Sequence, residues 1–344
     1  MVGIDDVARL AGVSTATVSR ALSGRGHVAA ATRAKVEAAA SELGYVVSAS
    51  ASSLATGRMR NIGVVVPFLK SWFYTSVLEG AQRRLMQHGY DLTLYNLSGD
   101  ANERETVFDT FLLRQRVDAV IAVSLELSAV EVDSLHALGK PLVGVGGPIP
   151  GVTTLSIDDV GVTRLATEHL LSLGHTVIGH IGGDVDAEMS FHMPSNRRQG
   201  WEAALRHAGV EVRPELYFPA VFTLESGYAA AKQMLGDPRL RPTAIVVASD
   251  EMAIGAMLAA RDMGLDVPRD LSIVGIDDHE LAPFFGLTTV AQHPEQQGER
   301  AVELLMRELE GPSGDDEPQN LQLPFDLVVR SSTARPRGER DANG

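Results

Sequence analysis

Ile4-Asp5-Asp6-Val7-Ala8-Arg9-Leu10-Ala11-Gly12-Val13-Ser14-Thr15-Ala16-Thr17-Val18-Ser19-Arg20 reads as two short helices around a turn. Ile4, Val7, Ala8, Leu10 and Ala11 fall on one face at the helical period. Gly12 stands where the chain must turn sharply and where a positive φ is tolerated. Ser14 is a good N-cap for the second helix, its hydroxyl accepting an orphan backbone N–H. Val18, Ala21 and Leu22 face back onto the first helix. Thr15, Ala16, Thr17, Ser19 and Arg20 are left outside. Small residues at the helix start allow close approach to a groove, and Arg20 can reach a guanine edge or a phosphate.

A third helix follows, with Val36, Ala39, Ala40 and Leu43 as its apolar stripe, ending at Leu43-Gly44-Tyr45. An ordinary three-helix subdomain shares this pattern. Charge adds an asymmetry: residues 1–60 carry seven Lys and Arg against four Asp and Glu, although the whole chain has a net charge of −14. A positive end on an acidic chain suits phosphate binding at that end only.

From Ile4-Asp5-Asp6-Val7-Ala8 through Gly12-Val13-Ser14 and Thr17-Val18-Ser19-Arg20, then Thr32-Arg33 and Leu43-Gly44-Tyr45, the chain resembles the LacI family of bacterial transcription regulators. The likeness continues through nearly the whole chain. It implies a dimeric regulator whose operator affinity is switched by a small molecule, most often a sugar. It also implies DNA contacts from Ser14, Thr15, Ala16, Thr17, Ser19, Arg20, His27, Ala51 and Leu54. Residues 48–55, Ser-Ala-Ser-Ala-Ser-Ser-Leu-Ala, are too short for a stable isolated helix and read by composition as an Ala/Ser linker. The resemblance implies a hinge helix that forms on DNA, with Leu54 wedged into the minor groove. Two departures stand out. Ser52 replaces the usual Arg, and Ala29 replaces the usual Ser cap of helix three, at a cost of about 1 kcal/mol.

The 344-residue length suits two or three domains, no apolar run is long enough to span a membrane, and the N-terminus has no signal-peptide core. Cysteine is absent, which excludes disulfides and thiolate metal sites. These features point to the cytoplasm. The acidic total argues against a general nucleic-acid-coating role.

After residue 60 short apolar strands alternate with amphipathic helices. Strands are expected at Asn61–Pro67, Leu92–Tyr95, Ala119–Val123, Pro141–Val145, Val177–Ile181, Ala244–Val247 and Leu271–Ile276, with helices near Phe73–His88 and Glu103–Arg114. Strands with little alternation indicate parallel sheets covered on both faces. The expected fold class is α/β: a small all-α helix-turn-helix domain, then two doubly wound parallel-sheet subdomains. The resemblance makes these periplasmic-binding-protein-like, with three crossings. The expected domains are 1–47 for DNA, 48–60 for the hinge, and 61–332 for the effector. Within the last, subdomain one is 61–158 with 292–324, and subdomain two is 159–291 with 325–332. Gly311–Pro318 reads as an exposed loop. The polar tail from Ser331 is expected to be disordered (333–344 lying beyond the domain), and it lacks the heptad leucines of a tetramerising coiled coil.

Doubly wound sheets bind ligands at the carboxyl ends of their strands. Asp158 and Asp159, Ser249 and Asp250, and Asp277 and Asp278 follow such strands, and Arg197 enters the helix containing Trp201. A carboxylate accepts from two adjacent sugar hydroxyls, and a guanidinium supplies the complementary donors. An Asp after a strand serves equally as the N-cap of the next helix. By resemblance, Arg197, Asp250 and Asp277 align with effector-holding positions, and Asp158 is a further candidate. Trp72, Phe73 and Tyr74 form an aromatic cluster whose faces suit the C–H faces of a pyranose, or else the core at a helix start. Trp72 is the expected sugar platform, and Phe284 with Phe285 is expected to close the other side. Gly144-Val145-Gly146-Gly147 lacks the third glycine of a nucleotide loop. The histidines, His192 and His279 among them, show no metal spacing. No nucleophile–base constellation is visible, so no enzyme, metal or cofactor is expected.

The resulting expectation is a homodimeric repressor that binds a palindromic double-stranded operator and is released by a mono- or disaccharide, without membrane association. The alternatives are corepression by a purine or a phosphoprotein partner, a sugar-binding transport component, and an enzyme acting on sugars.

Overall fold

The computed structural model describes residues 2–23, 27–45, 57–97, 101–112, 116–125, 127–183, 193–311 and 317–337. They fall into two compact units, Met1–Asn61 with Arg116–Asp118, and Ile62–Gln115 with Ala119–Gly344.

The first unit holds α1 (Ile4–Ala11), α2 (Thr15–Ser23) and α3 (Ala30–Leu43). Gly3 N–H donates to the Asp6 carboxylate at the start of α1, at 3.0 Å, and Gly12 closes it at φ 66°. The left-handed turn that the glycine permits aims α2 across α1. Val7, Val18 and Val36 are completely buried, with Ala8, Ala21, Ala39 and Ala40 around them. Leu10, expected on the inner face of α1, is instead 47% exposed. Eight residues give only two turns, and Val7 and Ala8 already fill the contact. α3 starts at Ala29 with no side-chain cap, as the sequence predicts for alanine there. Asp118 anchors the end of the unit, accepting from Met59 N–H at 2.8 Å and Arg60 N–H at 2.7 Å. Residues 46–56, which contain Ala51, Ser52 and Leu54, lie outside the described residues.

The second unit holds two six-stranded sheets. The first sheet uses β1 (Asn61–Val66), β2 (Asp91–Asn96), β3 (Ala119–Val123), β4 (Leu142–Val145), β5 (Thr153–Ser156) and β11 (Asn320–Gln322), in the order β11-β5-β4-β3-β1-β2. The second uses β6 (Ile178–Gly183), β7 (Tyr217–Ala220), β8 (Ala244–Val247), β9 (Ser272–Asp277), β10 (Thr288–Ala291) and β12 (Asp326–Val328), in the order β12-β10-β9-β8-β6-β7. The pairs β1–β3, β3–β4, β4–β5, β6–β8, β8–β9 and β9–β10 are parallel, and β12 is antiparallel to its neighbour β10. The chain passes between sheets after β5, after β10 and after β11.

Both faces of the central strands are covered, which explains their unbroken apolar runs. In the first sheet, Ile62, Val64, Ile121 and Val143 pack with Val77 and Leu85 of α4 (Trp72–Gln87) and Val302 and Leu305 of α12 (Pro294–Glu310). Between them come α5 (Ala101–Thr106, continued by a π-helical turn over Val107–Phe111) and α6 (Ala129–Ala137). The second sheet carries α7 (Asp159–Ser172) and α8 (Met193–His207) on one face, where Leu170 and Trp201 are completely buried. The other face carries α9 (Leu224–Gly236) and α10 (Asp250–Asp262), followed by the short α11 (Ala282–Phe285). α4 and α12 approach so closely that a Cβ on Gly80 would lie 2.0 Å from Glu295 O, and one on Gly298 2.0 Å from Val77 O.

The tail is ordered further than the sequence suggests. Ser332 is buried, with its hydroxyl donating to Ile273 O at 2.6 Å, and Ala334 N–H donates to the Ser272 hydroxyl at 3.0 Å. Ser331–Arg337 is therefore a strap on the second sheet, and polar composition misled because its partners are backbone groups and small hydroxyls. Residues 312–316, within the expected loop, and 338–344 lie outside the described residues.

Candidate functional site

On the first unit, α2 turns Thr15, Ala16, Ser19 and Arg20 outward while Val18 and Ala21 hold the core. Ser14 caps the helix, accepting from Thr17 N–H at 3.2 Å, and its hydroxyl meets that of Thr17 at 2.9 Å. Arg20 Nε donates to Ala16 O at 3.1 Å, which lays the guanidinium along the exposed face. His27 is exposed after the helix. Among the described residues this face presents the hydroxyls of Thr15 and Ser19 and the Arg20 guanidinium, groups that suit phosphate and base contacts.

On the second unit, the polar groups gather at the carboxyl ends of the strands. Arg197, from α8, is almost fully buried: Nε donates to Asp159 Oδ1 at 2.8 Å and Nη1 donates to Ala248 O. Burial pushes the Asp159 carboxyl above its ordinary pKa, against the pull of the Arg197 charge. Asp277 ends β9, accepting from Gln292 Nε2 on one oxygen and from Asp250 N–H at 3.3 Å on the other. Burial pushes its pKa up to about 7, opposed by the Arg197 charge and the Gln292 hydrogen bond. Trp72, at the start of α4 after β1, lies on the His279 ring at 4.8 Å and a 35° tilt, so groups from both sheets meet here. A cavity of about 430 Å³ opens beside them, lined by Trp72, Asp277, Asp278, His293 and Glu295.

Several expected site residues have other partners. Asp158 is the N-cap of α7, accepting from Gly161 N–H at 2.9 Å, and its neighbour Asp159 makes the ion pair instead. Asp250 is completely buried and faces its own network: Oδ1 accepts from Thr289 Oγ1 at 2.7 Å and Oδ2 from His279 N–H at 2.9 Å. Burial first, and the Asp277 charge second, raise its pKa well above the ordinary value. A Cβ on Gly275 would sit 2.0 Å from Asp250 Oδ1, so this glycine makes room for the carboxylate. Tyr74 is a core residue, its ring edge-on to Phe68 at 4.9 Å and to Phe73 at 5.5 Å. Burial pushes its hydroxyl pKa up to about 12, while Arg197 and a hydrogen bond with Ser124 act the other way. Phe73 is half-buried against the first sheet, and Phe284 is 85% exposed rather than closing the site. α11 directs Ala282 inward, which leaves Phe284 outward. His192 lies outside the described residues, whereas His279 is buried and accepts from Leu281 N–H through Nδ1 at 2.9 Å, so that nitrogen carries no proton.

Thr289 and Gln292 join this network without a role expected for them from the sequence, and Asp159, one of the strand-end carboxylates, takes the ion pair in place of Asp158. Two signals were available: the acidic doublets after strands, one member capping and one turning inward, and the polar Gln292-His293 where the chain changes sheet.

Residues 3–48 match the family model of bacterial regulatory proteins, lacI family, and residues 167–333 match that of the periplasmic binding protein-like domain. The ribose operon repressor of Escherichia coli (strain K12) is 34% identical, over 96% of this chain and all of that protein. The structure of the lac repressor dimer bound to operator and the anti-inducer ONPF is 31% identical with a TM-score of 0.83, covering 97% of this chain and 99% of that one. The complex of the transcriptional regulator CelR with cellobiose is 32% identical with a TM-score of 0.71, covering 96% of this chain and all of that one.

Proposed function

The chain belongs to the lacI family of bacterial regulatory proteins, and from that premise we propose that it is a cytoplasmic transcription repressor released from its operator by a neutral sugar. It acts as a homodimer on a palindromic double-stranded site. Residues 1–47 read the DNA, 48–60 form the hinge, with Ala51 and Leu54 in the minor groove, and 61–332 sense the effector. Ser14, Thr15, Ala16, Thr17, Ser19, Arg20 and His27 supply the other DNA contacts.

One observation carries the effector reading. A buried carboxylate, Asp277, and an aromatic ring, Trp72, line a cavity of about 430 Å³, and the buried Arg197 guanidinium lies close enough behind them for its charge to act on Asp277. That volume suits a small ligand, and the donors and acceptors suit vicinal hydroxyls. Asp277 accepts from the sugar, Arg197 donates to it, and Trp72 packs on its C–H face after leaving His279. Asp250 supports Asp277 rather than touching the ligand. The ribose operon repressor and the cellobiose complex support a sugar as the ligand class.

The mechanism is a population shift without turnover. Sugar bridging the two sheets favours one angle between the subdomains, and in the dimer that angle separates the hinge segments and weakens operator binding. The test is footprinting of the DNA upstream of the protein's own gene with wild type and Arg20→Ala. A symmetric footprint lost in the variant is expected. Identical protection by both proteins would contradict the assignment of α2.

A further inference from the structure

The bend that carries Asp277 has an unusual backbone. Asp277 lies at φ 138° and Asp278 at φ 60°, two consecutive residues other than glycine with positive φ. Such conformations are costly and persist only where the surroundings over-determine them. Part of the restraint comes from Asp250, through the bonds to Asp277 and His279 already described. Asp278 N–H donates to Thr289 Oγ1 at 3.3 Å.

The remainder comes from the far end of the chain. Arg330, just past β12, donates from Nη2 to Asp278 Oδ1 at 2.6 Å and from Nη1 to Leu287 O at 2.9 Å. Its backbone N–H donates to Thr288 Oγ1 at 2.9 Å. The pair is partly shielded, with side-chain exposures of 19% and 32%. The segment behind Arg330 is itself fixed. Ser331 and Ser332 N–H both donate to Gly286 O at 2.9 Å, Ser332 Oγ accepts from Thr288 N–H at 2.8 Å, and Arg337 pairs with Asp270 at 2.9 Å. A planar guanidinium held at two points directs its fork more firmly than a flexible ammonium can.

We infer that Arg330 is a positioning residue for the effector carboxylate, clamping the Asp277–Asp278 bend so that Asp277 is preset toward the cleft. The inference rests on the reading of Asp277 as the sugar contact, but its geometric content is testable without sugar. If the Asp250 network alone set the bend, Arg330 would be dispensable to it.

The experiment is hydrogen–deuterium exchange by mass spectrometry on the full chain without sugar, following peptides over residues 277–285. Wild type is compared with Arg330→Gln, Asp278→Asn and the double variant. Loss of a charge-assisted hydrogen bond predicts exchange about tenfold faster at the His279 and Leu281 amides in each single variant. The double variant should be no faster than either single one, and the β8 peptide should be unchanged. Should Arg330→Gln not fold, Asp278→Asn decides alone, since it leaves the Arg330 bond to Leu287 intact. Unchanged exchange over 277–285, additive effects in the double variant, or equal acceleration in β8 would each overturn the inference.

Discussion

Replacing Asp277 with Asn should stabilise the protein at alkaline pH while removing its response to sugar, and the first effect has a calculable size. Burial raises the Asp277 carboxyl from 3.8 to about 7. That rise corresponds to roughly 4 kcal/mol against the ionised form, at about 1.4 kcal/mol per tenfold in affinity for the proton. Structural relaxation and water entry reduce such penalties, so the expected gain is about 1–4 kcal/mol at pH 8.5. The sign follows from linkage. A carboxyl with a raised folded-state pKa adds stability fully present below pH 3.8 and lost as pH rises through about 7. Asn mimics the protonated acid, so the variant's advantage should be small at pH 4 and grow to a plateau above pH 7. Asp250 does not cancel in the difference, because the Asp277 charge is the second cause of its raised pKa; removing that charge relieves Asp250 as well and acts in the same direction, whereas Glu251 and His279 are common to both proteins. Calorimetric melting of both proteins from pH 4 to 8.5 measures it. A difference curve that is flat, or that favours wild type at high pH, would refute the claim that a charge is buried here at a cost.

Three further outcomes follow. His180 is buried and its pKa is lowered by burial to about 4, so its contribution is present above pH 6.5 and lost as pH falls through about 4. His180→Phe should melt higher than wild type at pH 4 but lose about 1 kcal/mol at pH 7 with the bond to Val246 O; equal acid sensitivity in thermal melts would exclude this. Gly298→Val places a Cβ 2.0 Å from Val77 O and should destabilise by about 3 kcal/mol or more. Gly44→Ala, at φ 62° with open space around it, should cost only about 1 kcal/mol, and equal losses in denaturant titrations would argue against the close helix contact. Trp72 fluorescence should change when sugar displaces the His279 ring, and a bound sugar that leaves the spectrum unmoved would place the ligand elsewhere.

The helical domain was legible because each step is local. The cap at Ser14, the left-handed Gly12 and the buried Val7, Val18 and Val36 all lie within a few dozen residues. β1, β2, β3, β4, β6, β8 and β9 were legible as apolar runs. β5, β7, β10, β11 and β12 were not, since TTLS, YFPA, TTVA, NLQ and DLV are only three or four residues long and are broken by polar residues or proline, and they are fixed by pairing at the sheet edges or next to the crossings. At the site, residue types pointed to the carboxylates at the strand ends but not to the partner that each one takes. Whether Asp158 or Asp159 meets Arg197 depends on the turn into α7, and whether Asp250 or Asp277 faces the cleft depends on the room left by Gly275. The role of Arg330 was invisible because its partner, Asp278, lies 52 residues earlier in the chain.

The central claim is that sugar in the cleft controls DNA affinity. The most direct test is fluorescence anisotropy of a labelled palindrome from upstream of the protein's own gene, at fixed salt, with D-ribose, cellobiose and a panel of related mono- and disaccharides. Tight binding by wild type, reversed by one sugar, and equally tight binding by Asp277→Ala that no sugar reverses, are the predicted results. Binding that appears only after a ligand is added, or an Asp277→Ala protein released by the same sugar at the same concentration, would contradict it.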